Sequence, residues 1–286
     1  MAYPLLESPL GRVYFYNNRM ISYDSDEARM LKEPTDAVTY YETVRCTEGV
    51  LLFLEDHLER LQKSVKSVEA FSLDTDDIGN KAKHFLSDIA FSGDGNLRIV
   101  VTADTLLIHM CEANIPPQKM FETGINTNIL KWERVDPNVK VFRGDYKKSV
   151  FDAFHRANPN GMPYEIILAD RDDRLYEGSK SNFFVVSGNK VYSAPNDKIL
   201  IGITRKRVIE SLDRAGMLLD FKTFTIDELK ELEDPALFVS STPFDILPVT
   251  HIEDNEFDSV NNPYLQKISG MYREITKEYI NKYKQR

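Results

Sequence analysis

The stretch that decides the fold runs Glu177-Gly178-Ser179-Lys180-Ser181-Asn182-Phe183-Phe184-Val185-Val186, and the turn Gly202-Ile203-Thr204-Arg205 follows it. The aromatic and β-branched run 183–186 predicts a buried strand, with Glu177 at or just before its start. After Gly202 the apolar positions recur at helical spacing: Val208, Ile209 and Leu212. A helix N-terminus binds anions through its free N–H groups and its dipole. The two segments therefore predict a cradle that offers one carboxylate and several donors for a phosphate.

These residues resemble the fold-type IV family of pyridoxal-phosphate enzymes, which contains branched-chain and D-amino-acid aminotransferases and aminodeoxychorismate lyase. In that family an E-G-x-x-x-N-x-F segment carries the glutamate at the pyridine nitrogen, and a G-I-T-R turn binds the cofactor phosphate. The resemblance implies pyridoxal 5'-phosphate as the cofactor, with Glu177 at its nitrogen. It implies that Ile203 and Thr204 bind the phosphate, and that Ser181 and Asn182 lie near the ring or the phosphate.

A carboxylate at that nitrogen keeps the ring protonated, and only a pyridinium is a strong sink for the electrons left when the substrate loses its Cα proton. Alanine at Glu177 is therefore expected to damage chemistry more than folding. Taken singly, Glu177 could be a polar turn residue and Thr204 an N-cap. Their order and spacing together favour the cofactor site.

Composition bounds the class of protein. The chain has 286 residues, of which 42% are hydrophobic, so it can form one large or two medium domains with real cores. Its net charge of −9 is spread among interspersed charges, which argues against nucleic acid as a partner. The sequence shows no apolar run of membrane-span length and no signal-peptide pattern at Met1-Ala2-Tyr3-Pro4, which predicts a cytoplasmic protein with no membrane partner.

The cysteines and histidines predict no metal site. Cys46 and Cys111 lie in strand-like runs, which indicates buried free thiols rather than a disulfide framework. The five histidines show no metal-binding pairing such as HExxH.

The element pattern predicts an α/β (α+β) fold in two domains. Before the Pro116-Pro117 pair we expect a small N-terminal α/β domain, 1–117, because proline lacks the donor that strands and helices need. Beyond it we expect a larger C-terminal cofactor-binding domain, 118–286. The predicted strands are 13–16, 38–46, 50–54, 97–102, 106–111, 125–130, 164–169, 183–186 and short runs near 191, 221 and 237–239; the predicted helices are 56–68, 77–90, 148–157, one after 204, and 263–283. The family resemblance implies a fold-type IV enzyme with the cofactor in the cleft between the domains.

A pyridoxal enzyme needs a lysine to hold the cofactor and to move the substrate's Cα proton. The resemblance places it within Asp145-Tyr146-Lys147-Lys148-Ser149-Val150. Lys147 matches the family's D-x-K pattern and Lys148 its K-S-L continuation. Neighbours on a helix point about 100° apart, so only one can face the cofactor. We favour Lys147 as the catalytic residue, although the asparagine that usually follows is absent and the pair could be a solvated helix start.

Two further motifs complete the resemblance. The run His57-Leu58-Glu59-Arg60-Leu61 matches a family H-x-x-R-L helix in which arginine reaches the phosphate, a role that suits its charged, planar fork. It follows the strand Tyr41 to Arg45, where Tyr41 is expected on the substrate side. His57 is interpreted as a helix-start residue.

The turn Ser240-Ser241-Thr242-Pro243 resembles a family turn that closes over the phosphate, with Thr242 the first choice. Hydroxyls in series also occur in ordinary turns, so that alternative stays open. Tyr164-Glu165 matches a family position that we interpret as structural.

The resemblance implies an aminotransferase that moves an amino group between an amino acid, branched-chain-like, and a 2-oxo acid, and implies a homodimer. D-amino-acid specialists of the family carry R-x-H after a V-T strand. Here Val101-Thr102 is followed by Ala103-Asp104-Thr105, which argues against that specificity. Two alternatives remain: a lyase of the aminodeoxychorismate type, and a catalytically silent family member that binds the cofactor or only a partner protein.

Overall fold

The computed structural model describes residues 3–68, 71–112, 115–141 and 143–284. The helices there are α1 (Asp26–Met30), α2 (Leu54–Val68), α3 (Thr75–Asp88), α4 (Gln118–Thr123), α5 (Gly144–Phe154), α6 (Ile203–Ala215), α7 (Ile226–Lys230) and α8 (Pro263–Lys284). The strands are β1 (Tyr3–Pro4), β2 (Pro9–Tyr16), β3 (Arg19–Ser22), β4 (Pro34–Thr35), β5 (Tyr40–Thr47), β6 (Val50–Leu51), β7 (Gly95–Val101), β8 (Leu106–Cys111), β9 (Ile125–Lys131), β10 (Glu165–Ala169), β11 (Leu175–Gly178), β12 (Asn182–Ser187), β13 (Lys190–Ser193), β14 (Leu218–Phe221), β15 (Ala236–Ser241), β16 (Asp245–Ile252) and β17 (Asn255–Glu256). Within these ranges no helix has the length and apolar character to cross a membrane.

The chain divides into two compact units. Unit 1 takes in Met1–Asn114, Val139–Asp145 and Thr276–Arg286, and unit 2 takes in Ile115–Asn138 and Tyr146–Ile275. The chain therefore leaves unit 1 beside the Pro116-Pro117 pair and returns to it twice. The last turns of α8 belong to unit 1, although the helix begins in unit 2.

Unit 1 is built on a six-stranded sheet in the order β3-β2-β8-β7-β5-β6. Helix α2 packs on it through Leu58, Leu61 and Val65, while Val68 at the helix end stays exposed. The helix begins at Leu54, two residues before the predicted start at residue 56, directly after Phe53 in the left-handed region (φ 54°).

Unit 2 is built on a sheet in the order β11-β10-β9-β16-β15-β12-β13-β14. Because β11 also pairs with β12, six of these strands close into a ring. Strand side chains alternate between faces: Phe183 packs inside with Leu247, while Phe184 stacks on Phe238 on the other face, where α6 and α8 contribute to the core. Both faces are covered, which explains the unbroken apolar run 183–186.

The structure corrects several details of the predicted elements. Glu177 lies inside its own strand, β11, which turns back antiparallel on β12. Helix α5 begins at Gly144, four residues before the predicted start. Strand β16 was not predicted, because Pro248 argues against a strand with neighbours on both sides. Both cysteines are buried and free, as predicted.

Candidate active site

Three polar side chains form a row across neighbouring strands of unit 2. Glu177 on β11 is the register partner of Asn182 on β12, and Asn182 is the partner of Ser240 on β15. Directly opposed residues project from the same face of a sheet. All three are buried. The register thus brings together two residues predicted from the motif and adds Ser240, which belongs to the predicted phosphate turn although Thr242 was the first choice there.

The start of α6 lies directly on this row. The Leu200 N–H donates to Glu177 Oε2 (3.3 Å), and Asn182 Nδ2 donates to the Leu200 carbonyl (2.8 Å). A side chain at Gly202 would collide with Asn182 Oδ1, so this close approach requires glycine there. The two motifs are therefore one site in space.

The N-terminus of α6 offers unsatisfied donors. Its N-cap, Gly202, makes no side-chain hydrogen bond, and the first turn contains no acidic residue. The opening N–H groups of a helix lack partners within the helix. Ile203 and Thr204, the predicted phosphate residues, hold the first two helical positions and are buried.

A buried arginine adds charge beside these donors. Arg205 is only 2% exposed. Its guanidinium lies 3.4 Å from Ser193 Oγ, 3.5 Å from the Ala194 carbonyl and over the Phe221 ring at 5.7 Å, and no carboxylate pairs with it in the part of the chain that the structure describes. Burial lowers the pKa of Arg205 to about 10. A buried cation at the positive end of a helix calls for an anion.

The hydroxyls at the end of β15 and in the turn that follows it behave differently from one another. Ser241 Oγ donates to the Lys180 carbonyl (2.7 Å), and the predicted residue Thr242 is half-buried in the turn that follows the strand. Ser240 Oγ is buried with no hydrogen-bond partner among the described residues. A buried polar atom without a partner is costly, which marks Ser240 as a donor for a bound group.

Glu177 is held by an arginine that the sequence did not reveal. Arg134 Nε donates to Glu177 Oε1, and the guanidinium lies over the Tyr146 ring at 5.0 Å. Tyr146 in turn donates its hydroxyl to the Ser179 carbonyl (2.6 Å). Burial raises the pKa of Glu177 to about 7, while the Arg134 charge opposes the rise.

The loop between β11 and β12 is tied to Glu165, which is fully buried. Ser179 Oγ donates to one carboxylate oxygen (2.5 Å) and Ser181 Oγ to the other (2.8 Å). A side chain at Gly178 would collide with Ser181 Oγ. The hydroxyl of Ser181, predicted as a cofactor residue, is therefore bonded to Glu165. Glu165, interpreted from the sequence as structural, holds the β11–β12 loop.

The adjacent lysines differ in their surroundings. Lys148 is exposed, and its ammonium pairs with Asp152 one turn on (2.8 Å). Lys147 is half-buried. Both lie on α5, where the residue before them, Tyr146, contacts Arg134 and the β11–β12 loop.

In unit 1, Arg60 is bound to a buried carboxylate. Its Nε and Nη2 donate to the two oxygens of Glu42 at 2.8 and 2.5 Å, and His57 Nδ1 lies 2.7 Å from the second oxygen. Burial works to raise the pKa of Glu42, but the Arg60 charge and these hydrogen bonds outweigh it and lower the pKa to about 2. The predicted phosphate residue Arg60 is thus oriented by Glu42.

Tyr41, the predicted substrate residue, lies between two cations. The Arg98 guanidinium is 5.2 Å and the Lys140 ammonium 4.5 Å from its ring centre. The segment that carries Lys140 is fastened to unit 1, because Lys140 N–H donates to Ser64 Oγ of α2 (3.1 Å). That segment ends two residues before Lys147.

Comparison with known proteins identifies the family. The chain is 28% identical to a D-alanine aminotransferase of Bacillus licheniformis over 77% of this chain and 80% of that protein. It is 26% identical to a putative branched-chain-amino-acid aminotransferase of Methanocaldococcus jannaschii over 85% and 87%. A branched-chain aminotransferase from Thermoproteus uzoniensis, solved with norvaline, shares this fold-type IV architecture with a TM-score of 0.77, 22% identity, and coverage of 95% of this chain and 96% of that one. The model of the amino-transferase class IV family matches residues 39–252, so the chain belongs to the class IV aminotransferases.

Proposed function

We propose that this aminotransferase uses pyridoxal 5'-phosphate to move an amino group between a branched-chain-like amino acid and a 2-oxo acid. The observation that carries the proposal is the meeting, in unit 2, of a buried carboxylate with the uncapped start of α6. A cofactor with a phosphate and a ring nitrogen needs an anion site and an acidic partner at a fixed separation. Here the Leu200 N–H, just before α6 begins, donates to Glu177, so the carboxylate is held next to the start of that helix.

The residues present fit this cofactor. The N–H groups at Ile203 and Thr204, the hydroxyls of Ser240 and Thr242, and the charge of Arg205 would hold the phosphate, which would supply the anion that this buried arginine lacks among the described residues. Glu177 would hold a proton at the ring nitrogen, with Asn182 beside it. When bound, the cofactor supplies the electron sink for the substrate's Cα.

The remaining roles fall to side chains with a matching character. Lys147 would hold the cofactor and move the proton at the substrate Cα, because its half-buried side chain is restricted in position. The family resemblance assigns Arg60, which Glu42 orients, to the cofactor phosphate. The cations beside Tyr41 attract the substrate carboxylate.

The turn between β7 and β8 bears on substrate choice. Asp104 accepts hydrogen bonds from the hydroxyls of Thr102 (2.7 Å) and Thr105 (3.2 Å), so a fixed carboxylate occupies the turn. The family resemblance puts the carboxylate trap of the D-amino-acid specialists at this turn, and a carboxylate there would repel a substrate carboxylate rather than trap it. This favours a branched-chain-like substrate over the substrate of a D-amino-acid specialist.

The test is spectroscopic. Purified protein given pyridoxal 5'-phosphate should gain an absorption band in the near-ultraviolet to visible range, and L-leucine, L-isoleucine or L-valine should shift it while D-alanine does not. Absence of any band would overturn the proposal. A band that no amino acid shifts would favour the lyase or a silent binder instead.

Substitution of the two lysines tests the assignment within α5. Lys147→Ala should abolish the shift and lower the rate by about 10⁴-fold or more, since the residue both binds and moves a proton. Lys148→Ala removes only an exposed ion pair and should keep the rate within about twofold. The reverse result would assign the role to Lys148.

We also propose, from the family resemblance, that the chain acts as a homodimer in the cytoplasm. Sedimentation equilibrium should give twice the mass of one chain, which is 32.9 kDa. A measured mass equal to that of a single chain would contradict the dimer. Cell fractionation checks the compartment.

A further inference from the structure

Unit 1 contains a cavity of about 640 Å³ that the aminotransferase site does not use. It lies where the β5–β6 turn, the start of α2, the end of α3 and the last turns of α8 meet. Its volume is in the range of small-molecule sites, which are lined mostly by apolar groups with a few fixed polar ones. One wall is apolar, formed by Val50, Leu51, Leu54, Leu86 and Phe91.

The polar side of this cavity presents an ordered carboxylate. Glu55 accepts a hydrogen bond from the Tyr279 hydroxyl on one oxygen and from the Tyr283 hydroxyl on the other, both at 2.6 Å. The two tyrosines are one turn apart on α8, and their rings contact each other. An ionised carboxylate has about four acceptor positions, so Glu55 retains capacity for a further donor.

The carboxylate is ionised and faces an opposite charge. Partial burial works to raise the pKa of Glu55, but the tyrosine hydrogen bonds and the Lys83 ammonium outweigh it and lower the pKa. Lys83 itself lines the cavity. One negative and one positive group thus stand beside an apolar wall, which is the pattern that complements a zwitterion with an apolar tail.

The backbone at this corner is unusual. Phe53, immediately before the cavity residue Leu54, has a positive φ of 54°, which bulky side chains rarely adopt. Its ring lies 4.6 Å from the ring of Tyr279. Such backbone outliers concentrate at binding sites, where the surrounding packing holds them in place.

We propose that this cavity binds a free α-amino acid with a large apolar side chain, its ammonium on Glu55 and its carboxylate on Lys83. The bound side chain lies against the apolar wall. Because Leu54 and Glu55 are the first residues of α2, the ligand sits about one and a half turns from Arg60 on the same helix. The site is separate from the residues assigned to the aminotransferase reaction.

The experiment counts ligands per chain in the cofactor-loaded protein. The probe is radiolabelled α-methyl-L-leucine in equilibrium dialysis, because it lacks the Cα hydrogen and therefore cannot be transaminated. Wild-type protein should bind one more equivalent than the Glu55→Gln variant at a concentration that saturates the wild type. That variant should bind at the second site about 10- to 100-fold more weakly, as expected for the loss of a charge-assisted hydrogen bond.

A matched control and a steric variant keep the result interpretable. Glu59→Gln alters an exposed glutamate one turn further along α2, paired with Lys63, and should leave the count unchanged. Ser87→Trp places a bulky ring in the cavity while keeping Glu55 itself unchanged, and should also remove one equivalent. If both Glu55→Gln and Ser87→Trp bind as many equivalents as wild type, the proposal is overturned.

Two analogues test the zwitterion. The first analogue, 3-methylbutylamine, lacks the carboxylate, and the second, 4-methylpentanoate, lacks the amine. At the site that Glu55→Gln removes, each should compete at least about 10-fold more weakly than unlabelled α-methyl-L-leucine. Equal competition by the amine would overturn the assignment of an amino acid. If the aminotransferase proposal fails, the wild type binds one equivalent and Glu55→Gln none, so the two failures are distinguishable.

Discussion

Glu42 in unit 1 and Glu177 in unit 2 are both buried glutamates bound to an arginine, yet their pKa values lie on opposite sides of the ordinary value of 4.5. Glu42 receives Arg60 on both oxygens and His57 as a third neighbour. Glu177 receives the Arg134 guanidinium on one oxygen and a longer N–H bond on the other.

The difference shows that an arginine partner alone does not decide the charge of a buried carboxylate. Desolvation disfavours the ionised form, and the number of donors aimed at it decides whether that cost is recovered. Glu42 is saturated with donors and fixed as an anion, which suits a residue that orients Arg60. Glu177 is less fully bonded and titrates near neutrality, which suits a group that shares a proton with a ring nitrogen.

The largest expected effect separates chemistry from folding at Glu177. Glu177→Gln keeps an acceptor for Arg134 but cannot hold the negative charge, so kcat/KM should fall by roughly 10²- to 10⁴-fold. At pH 7 the free energy of unfolding of the cofactor-free protein should fall by less than it does for Glu42→Gln, because burial already offsets the pairing of Glu177 with Arg134. Steady-state kinetics and urea unfolding measure the two quantities. A Glu177→Gln variant that loses stability but keeps its activity would contradict the assignment of Glu177 to chemistry.

At Glu42 the expected effect is on stability. Glu42→Gln leaves the Arg60 guanidinium largely buried without its counter-charge, and the free energy of unfolding should fall by about 3–5 kcal/mol. Glu59→Gln serves as the control, because an exposed pair of this kind contributes at most about 1 kcal/mol. A loss at Glu42 no larger than the control's would show that the buried pair is not stabilising.

The two glutamates should give the cofactor-free protein opposite pH dependences. Glu42 has a pKa lowered from 4.5 to about 2, so its contribution to stability is full above 4.5 and is lost as the pH falls through about 2. Glu177 has a pKa raised from 4.5 to about 7, so its contribution is full below 4.5 and is lost as the pH rises through about 7. Each amounts to about 3 kcal/mol.

Subtracting the unfolding free energy of each glutamine variant from that of the wild type, at a series of pH values, isolates these two curves. The Glu42 difference should rise with pH between about 2 and 4.5, and the Glu177 difference should fall between 4.5 and about 7. If both stability differences changed with pH in the same direction, the number of hydrogen-bond donors would not explain the different charges of the two glutamates.

The smallest expected effect concerns Arg134. Arg134→Met removes the charge that opposes protonation of Glu177, so the pKa of Glu177 should rise and kcat/KM at pH 7 should fall by roughly 10- to 100-fold. Arg134→Lys retains a positive charge and should recover part of the loss. A carbon-detected titration of Glu177 in the cofactor-free protein gives a readout that does not depend on turnover, and an unchanged titration in Arg134→Met would remove Arg134 from this role.

The sequence predicted those elements whose formation depends on residues close together along the chain. The run 183–186 predicted β12, and Gly202 followed by Ile203-Thr204 predicted the start of α6, because strand and cap preferences are local. Ser240 could not be selected over Thr242, since its importance comes from its register opposite Asn182. Arg134 precedes Glu177 by 43 residues and belongs to no motif, so only the folded chain shows their contact.

Helix α8 has a consequence for how the protein is made. Its last turns, which place Tyr279 against Phe53, belong to the unit that begins the chain. A ribosome delivers the residues of that unit first and last, with nearly all of unit 2 in between. Unit 1 therefore cannot complete its packing until residues 276–286 have been synthesised, and its partly packed surface stays exposed to proteases and chaperones until then. Unit 1 is thus the unit whose synthesis begins first and whose packing is completed last.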